Sequence, residues 1–226
     1  MDSSIWAIWY ELESEHRAPY LQWFHEVHVP EKLSRPGYLW AAHYELDKGK
    51  GYLALFGGRT SHTFLNPSPG QLAQRQGAET KRHMQMRQRS SACILVEEAR
   101  VDGPERGARD AKGTPGPVIQ FGNYNAATPA VEDDLGAWYA QERLPLLAKL
   151  PGCIGARKML ASVGAYKHAI LHEFVSLESR EQHFGPHEAQ AHDPNTWMGR
   201  VRPQLTHAPR SPAIGRRIWP APAFAG

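Results

Sequence analysis

The sequence predicts an α+β fold in which two βαββαβ repeats pack sheet to sheet inside one chain, a pseudo-dimeric α+β barrel. The first ground is repetition. Trp23-Phe24, Pro30, Pro36-Gly37 and Ala41 recur as Trp138-Tyr139, Pro145, Pro151-Gly152 and Ala156, always a step of 115 residues further on. This reads as a tandem duplication of a unit about a hundred residues long. The second ground is the order of apolar runs, which gives strand, helix, hairpin, helix, strand in each half. The third is the face such a unit leaves bare: its four-stranded antiparallel sheet carries both helices on one side, and a second copy covers the other.

Residues 5–10 are an apolar, aromatic run suited to a strand covered on both faces. A helix follows, opening near Pro19, because the N–H that proline lacks would be unpaired in a first turn anyway. Its buried stripe is Tyr20, Phe24, Val27 and His28, a spacing that keeps them on one face and points His28 inward. Pro30 cannot donate to the carbonyl of Glu26, so the helix is expected to bend or end there. Pro36-Gly37 then turns the chain into strands 38–46 and 52–56, which flank a hairpin turn over 47–51. A polar helix over 70–89 and a strand over 92–96 complete the unit.

In the second half, strand 118–125 precedes a helix capped by Thr128, with Pro129 in its first turn and Glu132, Asp133 and Asp134 placed to suit the dipole. Strands follow over 154–160 and 166–174. Pro186 and Pro194 break the next helix, and a last strand spans 214–218. Residues 1–99 thus form a first ferredoxin-like repeat and 118–226 a second with an irregular C-terminal part. The stretch 100–117, rich in Gly, Pro and charge, reads as the linker.

An apolar fraction of 41% with seven Trp, eight Tyr and seven Phe is enough for a sizeable core. Lys plus Arg exceed Asp plus Glu by only 26 to 23, and the basic residues are scattered, which argues against a nucleic-acid partner. Cys93 and Cys153 sit in apolar surroundings at non-equivalent positions of the two copies and read as buried, reduced thiols of a cytoplasmic protein. No basic leader and no apolar run of membrane-spanning length is visible, so no membrane partner is expected.

Candidate chemistry lies where the copies differ. Copy one reads WFHEVHVPE over 23–31; copy two reads WYAQERLPL over 138–146. Residues needed for the fold persist in both copies, whereas residues needed for chemistry can survive in one. His25 and His28 are absent from copy two, and Arg143 stands where copy one has His28. A histidine on an apolar helical face can pass protons to or from a carbon acid, enol or phenol; the plainer alternative is a core histidine bonded to backbone. His25, three residues earlier, shares that face and could join it on a metal, but no Cys cluster or His-Glu-x-x-His motif supports one, and no metal is expected. His43 and Tyr44 are consecutive on a strand, so only one of them addresses the helix side. The guanidinium of Arg143 presents a fork suited to a substrate carboxylate. Asn123 and Asn125 either line a second, more polar cavity or bond loop backbone. His168 and His172 share a strand face by parity and read as half-solvated hairpin residues. His183, His187 and His192 read as surface.

The run 23–33 (WFHEVHVPEKL), followed by Pro36-Gly37-Tyr38, Ala41-Ala42-His43-Tyr44 and Tyr52-Leu53-Ala54-Leu55-Phe56, resembles EthD-like proteins of the dimeric α+β barrel superfamily. Their pattern is an aromatic pair, Glu-His-x-Pro, a Pro-Gly turn and strands rich in Ala, Arg, Tyr and Leu. The resemblance covers most of both halves. It implies a pocket between helices and sheet for a small apolar or aromatic ligand, in a superfamily that includes polyketide cyclases, lactone isomerases, cofactor-independent oxygenases and haem-degrading enzymes. Only His28 inherits the family's histidine position, and a shared fold does not choose the reaction.

Two readings follow. The first is a cofactor-independent enzyme of isomerase, cyclase or lyase type. In it His28 is the general acid/base, His25 and Tyr44 position it, and Trp23, Phe24, His43 and Arg143 line the ligand. The second is a non-catalytic binding or structural protein of the same fold. Neither expects a cofactor, since no phosphate loop or dinucleotide fingerprint is visible. A barrel closed within one chain can stand as a monomer, with homo-oligomers through edge strands or the C-terminal tail left open. If duplication freed copy two from catalysis, the helix-side cavity should be more enclosed and more histidine-lined in copy one.

Overall fold

The computed structural model describes residues 2–49, 51–110 and 112–222; one residue of the 47–51 turn and the end of the C-terminal tail lie outside the described residues. Strand β1 (Ser4–Glu11) leads into α1 (Ser14–Trp23), a π-helical turn (Phe24–His28) and α2 (Val29–Leu33). The hairpin β2 (Tyr38–Leu46) and β3 (Tyr52–Gly58) follows, then α3 (Pro69–Gln74), α4 (Ala78–Gln85) and β4 (Gln88–Asp102). The second half opens with β5 (Val118–Ala126), α5 (Pro129–Trp138), a second π turn (Tyr139–Arg143), α6 (Leu144–Leu147), β6 (Cys153–Val163) and β7 (His168–Phe174). It ends with α7 (Leu177–Ser179), a third π turn (Arg180–Phe184), α8 (Gly185–Ala189), α9 (Trp197–Val201), β8 (Leu205–His207) and β9 (Ala213–Trp219).

Eight strands close one antiparallel barrel in the order β7-β6-β4-β1-β3-β2-β9-β5, with β5 returning to β7 and β8 lying on the edge of β5. The first half contributes β4-β1-β3-β2 and the second β9-β5-β7-β6. The halves meet along two hydrogen-bonded seams, β4 with β6 and β2 with β9. The expected face-to-face packing of two sheets is therefore corrected to one continuous sheet. Covering only the inner faces would leave four bare strand edges, and pairing them satisfies their N–H and C=O groups.

Strand parity then assigns every side chain to one of two layers. Along β1, Ile5, Ala7 and Trp9 point into the barrel, where they meet Trp40, Tyr44, Leu55, Leu95, Phe121 and Met159. The intervening Trp6, Ile8 and Tyr10 point outward against Tyr20, Trp23 and Phe24 of the first-half helices. The second half repeats the division, with Tyr124, Ile170 and Phe174 under Leu135, Trp138 and Phe184. Both cysteines are buried free thiols, held near a pKa of about 12 by burial.

Several elements depart from expectation. Pro19 lies inside α1, which starts at Ser14; the Glu15 carbonyl it leaves unpaired is on an exposed residue that water can reach. Pro30 does not end its helix, which runs on to Leu33. The chain widens into the π turn just before it, so that Val29 N–H bonds the Phe24 carbonyl, and the proline ring enters the first turn of α2, where no donor is required. Pro145 has the same arrangement behind Tyr139–Arg143, with Leu144 N–H on the Tyr139 carbonyl. The widened turn rotates Val27 out of the expected stripe, and it is 50% exposed. The polar helix over 70–89 is two short helices, and β4 runs far beyond 92–96 because its second part pairs with β6. Thr128 caps α5 as expected, accepting from Val131 N–H.

One end of the barrel interior is tied together by buried charge. Asp2 accepts from Trp40 Nε1 at 3.0 Å, from Arg100 Nη2 at 3.0 Å and from Arg157 Nη1. Arg157 also lies 3.5 Å from Glu173, which Arg109 holds at 3.1 Å and the Gly116 amide at 3.0 Å. Burial alone would raise the Asp2 carboxyl, but Arg157 and Arg100 prevail and hold it at about 2, below the ordinary carboxylate range. A depressed carboxylate contributes stability at every pH above its unfolded value, so the contribution is complete at neutrality. Asp2→Asn should therefore cost ~2 kcal/mol of unfolding free energy at pH 7, measured by urea denaturation; an unchanged midpoint would show the network to be idle.

Candidate functional site

The first-half candidates are brought close together but not into one site. His43 points to the helix side, where its Nε2 lies 2.8 Å from Tyr10 Oη and its Nδ1 lies 2.7 Å from His25 Nε2. This forms a chain from half-buried His25, over which Trp219 stacks, to the fully buried Tyr10 hydroxyl. Burial, and then His25, keep His43 well below the ordinary imidazole range, and burial takes His25 to about 4. Tyr44 is turned away from His25 and His28, into the barrel, where its hydroxyl donates to the carbonyls of Pro115 and Gly116 at 3.2 and 3.0 Å.

His28 does not join the His25–His43–Tyr10 chain. A π turn closes i→i+5 bonds, so residues three apart no longer face together as they would on an α-helix. His28 packs instead against Trp23 and Phe24, with ring centroids at 4.8 and 5.5 Å. Burial, then Lys32, Arg87 and Arg35 beside it, push it down to about 2. Trp23 is sandwiched further by His83 at 4.2 Å, and Phe24 lies against Tyr20 and His43. Trp23 and Phe24 are thus core framework, and the space expected to be a cavity is filled by aromatic rings. No group of three or more His, Cys, Asp or Glu among the described residues could hold a metal.

An apolar cavity with polar groups on its wall lies in the second half. Its floor is the outer face of β5 and β7, with Gln120, Gly122, Tyr124, Ile170 and His172; its roof comes from Trp138, Tyr139 and Arg143, closed by Met198 and Val201 of α9. Counted to the mouth, the space is about 480 Å³. Gly122 keeps the floor low, since a Cβ there would come within 3.2 Å of Ile170.

Arg143 donates to Glu188 at 2.7 Å, Gln120 Nε2 donates to the other Glu188 oxygen at 2.9 Å, and Arg180 Nε donates to Gln120 Oε1 at 3.1 Å. Burial works against the Glu188 charge, yet Arg143 and Gln120 hold it below the usual carboxylate range. The Tyr124 hydroxyl donates to that of Tyr139 at 2.9 Å. His172 Nδ1 lies 3.3 Å from the Gln120 carbonyl. A carbonyl only accepts, so the proton sits on Nδ1 and the Nε2 lone pair is free. That Nε2 and Arg143 Nε are both buried without a hydrogen-bond partner. Burial, followed by Arg143, depresses His172 to about 3.

Arg143 was legible as the counterpart of His28. His172 was set aside as half-solvated, but the Arg180–Phe184 turn covers it, with Phe184 at 4.9 Å from its ring. Glu188 gave no signal, because the proline-rich segment that carries it has no helical period. Asn123 and Asn125 follow the plainer reading: their amides donate to the carbonyls of His168 and Ala165 at 2.8 and 3.2 Å.

No protein-family model matches this sequence, and no curated protein matches it. Solved structures do. A chlorite dismutase-like protein aligns with TM-score 0.61 at 12% identity, over 96% of each chain. An anthrone oxidase-like protein aligns with TM-score 0.59 at 14% identity, over 96% of this chain and 91% of that one. A chlorite dismutase from Candidatus Nitrospira defluvii gives 0.56 at 10%, over 96% and 91%. The fold is the dimeric α+β barrel. In this chain both halves of the barrel belong to one polypeptide. No helix among the described residues is long and apolar enough to cross a membrane.

A haem-binding protein of Thermus thermophilus also shares the fold, at TM-score 0.51 and 12% identity over 96% of this chain and 91% of that one, so a tetrapyrrole is the cofactor to test against the cavity. The residues do not fit one. The polar groups of its wall are already engaged with one another, Arg143 and Gln120 with Glu188 and the Tyr124 hydroxyl with that of Tyr139. The free nitrogen of His172 sits among Arg143, Arg180 and Phe184 rather than above an open plane.

Buried neutral histidines make the fold acid-sensitive. His28, His43 and His172 are all held below their ordinary value, while the unfolded chain takes up their protons near pH 6.5. Each therefore removes on the order of 1.4 kcal/mol of stability per pH unit as pH falls below that value. Urea denaturation from pH 7 to 5 should show a steep loss, made shallower by His172→Phe; an unaltered slope would mean His172 is protonated in the native state.

Proposed function

We propose that the second-half cavity binds a small, largely apolar metabolite of about one ring bearing a carbonyl, enol or phenol oxygen, and that the protein acts on it by cofactor-independent acid–base chemistry of the isomerase, cyclase or lyase kind. The observation that carries this reading is the pair of buried, unpartnered nitrogens, His172 Nε2 and Arg143 Nε, on the wall of one apolar cavity. A buried polar atom without a partner costs free energy that a ligand oxygen would recover. The proton-transfer role assigned by sequence to His28 moves to His172.

In this scheme the apolar walls hold the ring and Arg143 faces its oxygen. His172 Nε2 takes a proton from the adjacent carbon or hydroxyl as negative charge grows on that oxygen beside the guanidinium, and returns it to another position. In the empty cavity the imidazole is a weak base; the developing anion is what raises its proton affinity. Glu188 fixes the direction of Arg143 by accepting from its Nη2 at 2.7 Å.

The coincidence of the two π turns, each just before a proline and 115 residues apart, supports reading the halves as copies of one unit. With the EthD-like run over 23–33, it supports a small-ligand protein whose ligand site persists in copy two. A binding protein without turnover is the alternative, favoured by the aromatic filling of the first half.

Thermal-shift screening of phenols, enolisable ketones and lactones tests the site. Ligands that raise the Tm of the wild type should lose that effect in His172→Phe, Arg143→Met and Gly122→Leu, and keep it in His28→Ala. Equal shifts in all four variants would move the site elsewhere. Solvent deuterium entering the bound ligand in the wild type only would mark catalysis, and its absence would favour the binding protein.

A further inference from the structure

A second cavity, also of about 480 Å³ counted to its mouth, opens on the flank of the first half, beside His28 and between α2, α3 and the start of α4. The cavity in the second half shares none of its residues. Lys32, Arg35 and Arg75 line it with a single carboxylate, Glu31, leaving two positive charges unbalanced when Lys32 is protonated. Glu31 is half exposed and already engaged by Arg35 Nη2 at 2.7 Å. Lys32 is 5% exposed and makes no ion pair among the described residues; its ammonium stands over the Trp6 ring at 4.7 Å.

Two of the lining residues keep a nitrogen without a partner. His28 is 3% exposed and its Nδ1 has no partner, and Arg35 Nη1 is likewise buried and unpaired. The eight-residue helix α4 begins at the wall of the cavity, at Gly77, with no side-chain cap. Lys81 is the first residue whose N–H reaches back to the Gly77 carbonyl, so the amides of the first turn add the positive end of a helix dipole. Buried cations without counter-charge are costly to hold in a folded protein. An anion arriving from solvent would offset that cost.

We propose that this cavity is a binding site for a phosphate monoester dianion. Lys32, Arg35 and the first turn of α4 take the phosphate oxygens, His28 serves as a neutral donor through Nδ1, and Arg75 stands at the mouth. A dianion balances the two excess charges where a carboxylate would leave one, and donors converging from three elements suit three terminal oxygens better than two. The remaining space, bordered by Leu72, accommodates a small organic substituent. The retention of His28 in this half, without a proton-transfer site around it, is thereby explained.

Burial first, and then Arg35, bring the free Lys32 down to about 7; Glu31 opposes the shift and Arg87 adds to it. A bound dianion would restore its charge, so binding should draw a proton from solvent near neutrality.

Isothermal titration with inorganic phosphate and with phenyl phosphate, at pH 7.5 and an ionic strength fixed with NaCl, tests the site in buffers of different ionisation enthalpy. The wild type should bind both with proton uptake, and phenyl phosphate more tightly. Lys32→Met and Arg35→Gln should weaken binding by about tenfold or more, and the surface variant Arg75→Gln should weaken it even if the buried variants fold poorly. His172→Phe should leave it unchanged, which keeps this site's fate separate from that of the second-half cavity. No heat beyond that of NaCl, or an affinity equal in wild type and Arg75→Gln, would overturn the proposal. Phenyl phosphate binding no more tightly than inorganic phosphate would overturn the ester assignment.

Discussion

Closure of the sheet is the constraint on which the rest of the molecule depends. Once β4 pairs with β6 and β2 with β9, no strand edge of the eight is left to solvent along the seams, and the inner faces of both halves are committed to one apolar interior. Every helix is then forced to the outside, where it can bury an apolar stripe only against an outer strand face. The barrel interior is packed with Trp9, Trp40, Tyr44 and Phe121, so binding space can arise only outside it, between helix and sheet or between neighbouring helices. The buried charge at one end belongs to the same logic: Asp2 of the first half and Glu173 of the second share Arg157, so the ion network bridges the seam.

The two helix-side layers have met this constraint in different ways. In the first, Tyr10, Tyr20, Phe24 and His43 fill the space with rings in mutual contact, and Tyr10, His43 and His25 join their polar atoms in one chain. In the second, Gly122 leaves the floor low and Arg143 replaces an aromatic-packed histidine, so a cavity persists and its wall carries charge. A guanidinium is harder to desolvate than an imidazole, and it stays buried here because Glu188 and the Phe184 face receive it, the latter at 4.4 Å.

Much of the architecture was legible because it is written in period and punctuation. The alternation of Ile5, Ala7 and Trp9 with Trp6, Ile8 and Tyr10 marks a strand covered twice, and the Pro-Gly turns and the Thr128 cap set where elements begin. The π turns were not legible, since the same letters fit an α-helix; only the pairing of Val29 and Leu144 with carbonyls five residues back distinguishes them. That local widening is what displaced Val27 and separated His25 from His28. The site was half legible. Comparing the two halves singled out Arg143, but His172 is a functional candidate through burial by a segment distant in sequence and Glu188 through its bond to Arg143, which no local pattern records. Tyr44 was misplaced for a simpler reason: parity allows one of His43 and Tyr44 on the helix side, and it is His43.

The central claim is that the working cavity lies in the second half, under the helices that carry Arg143. Methionine methyl groups report on it directly, because Met198 lines that cavity, Met84 and Met86 pack against the first-half helical layer and Met159 sits inside the barrel. With 13C-methyl methionine in the intact chain, titration with a stabilising phenol or enolisable ketone should shift the Met198 resonance and leave Met84, Met86 and Met159 in place. Shifts at Met84 or Met86 with Met198 unmoved would contradict the account and return the site to the first half.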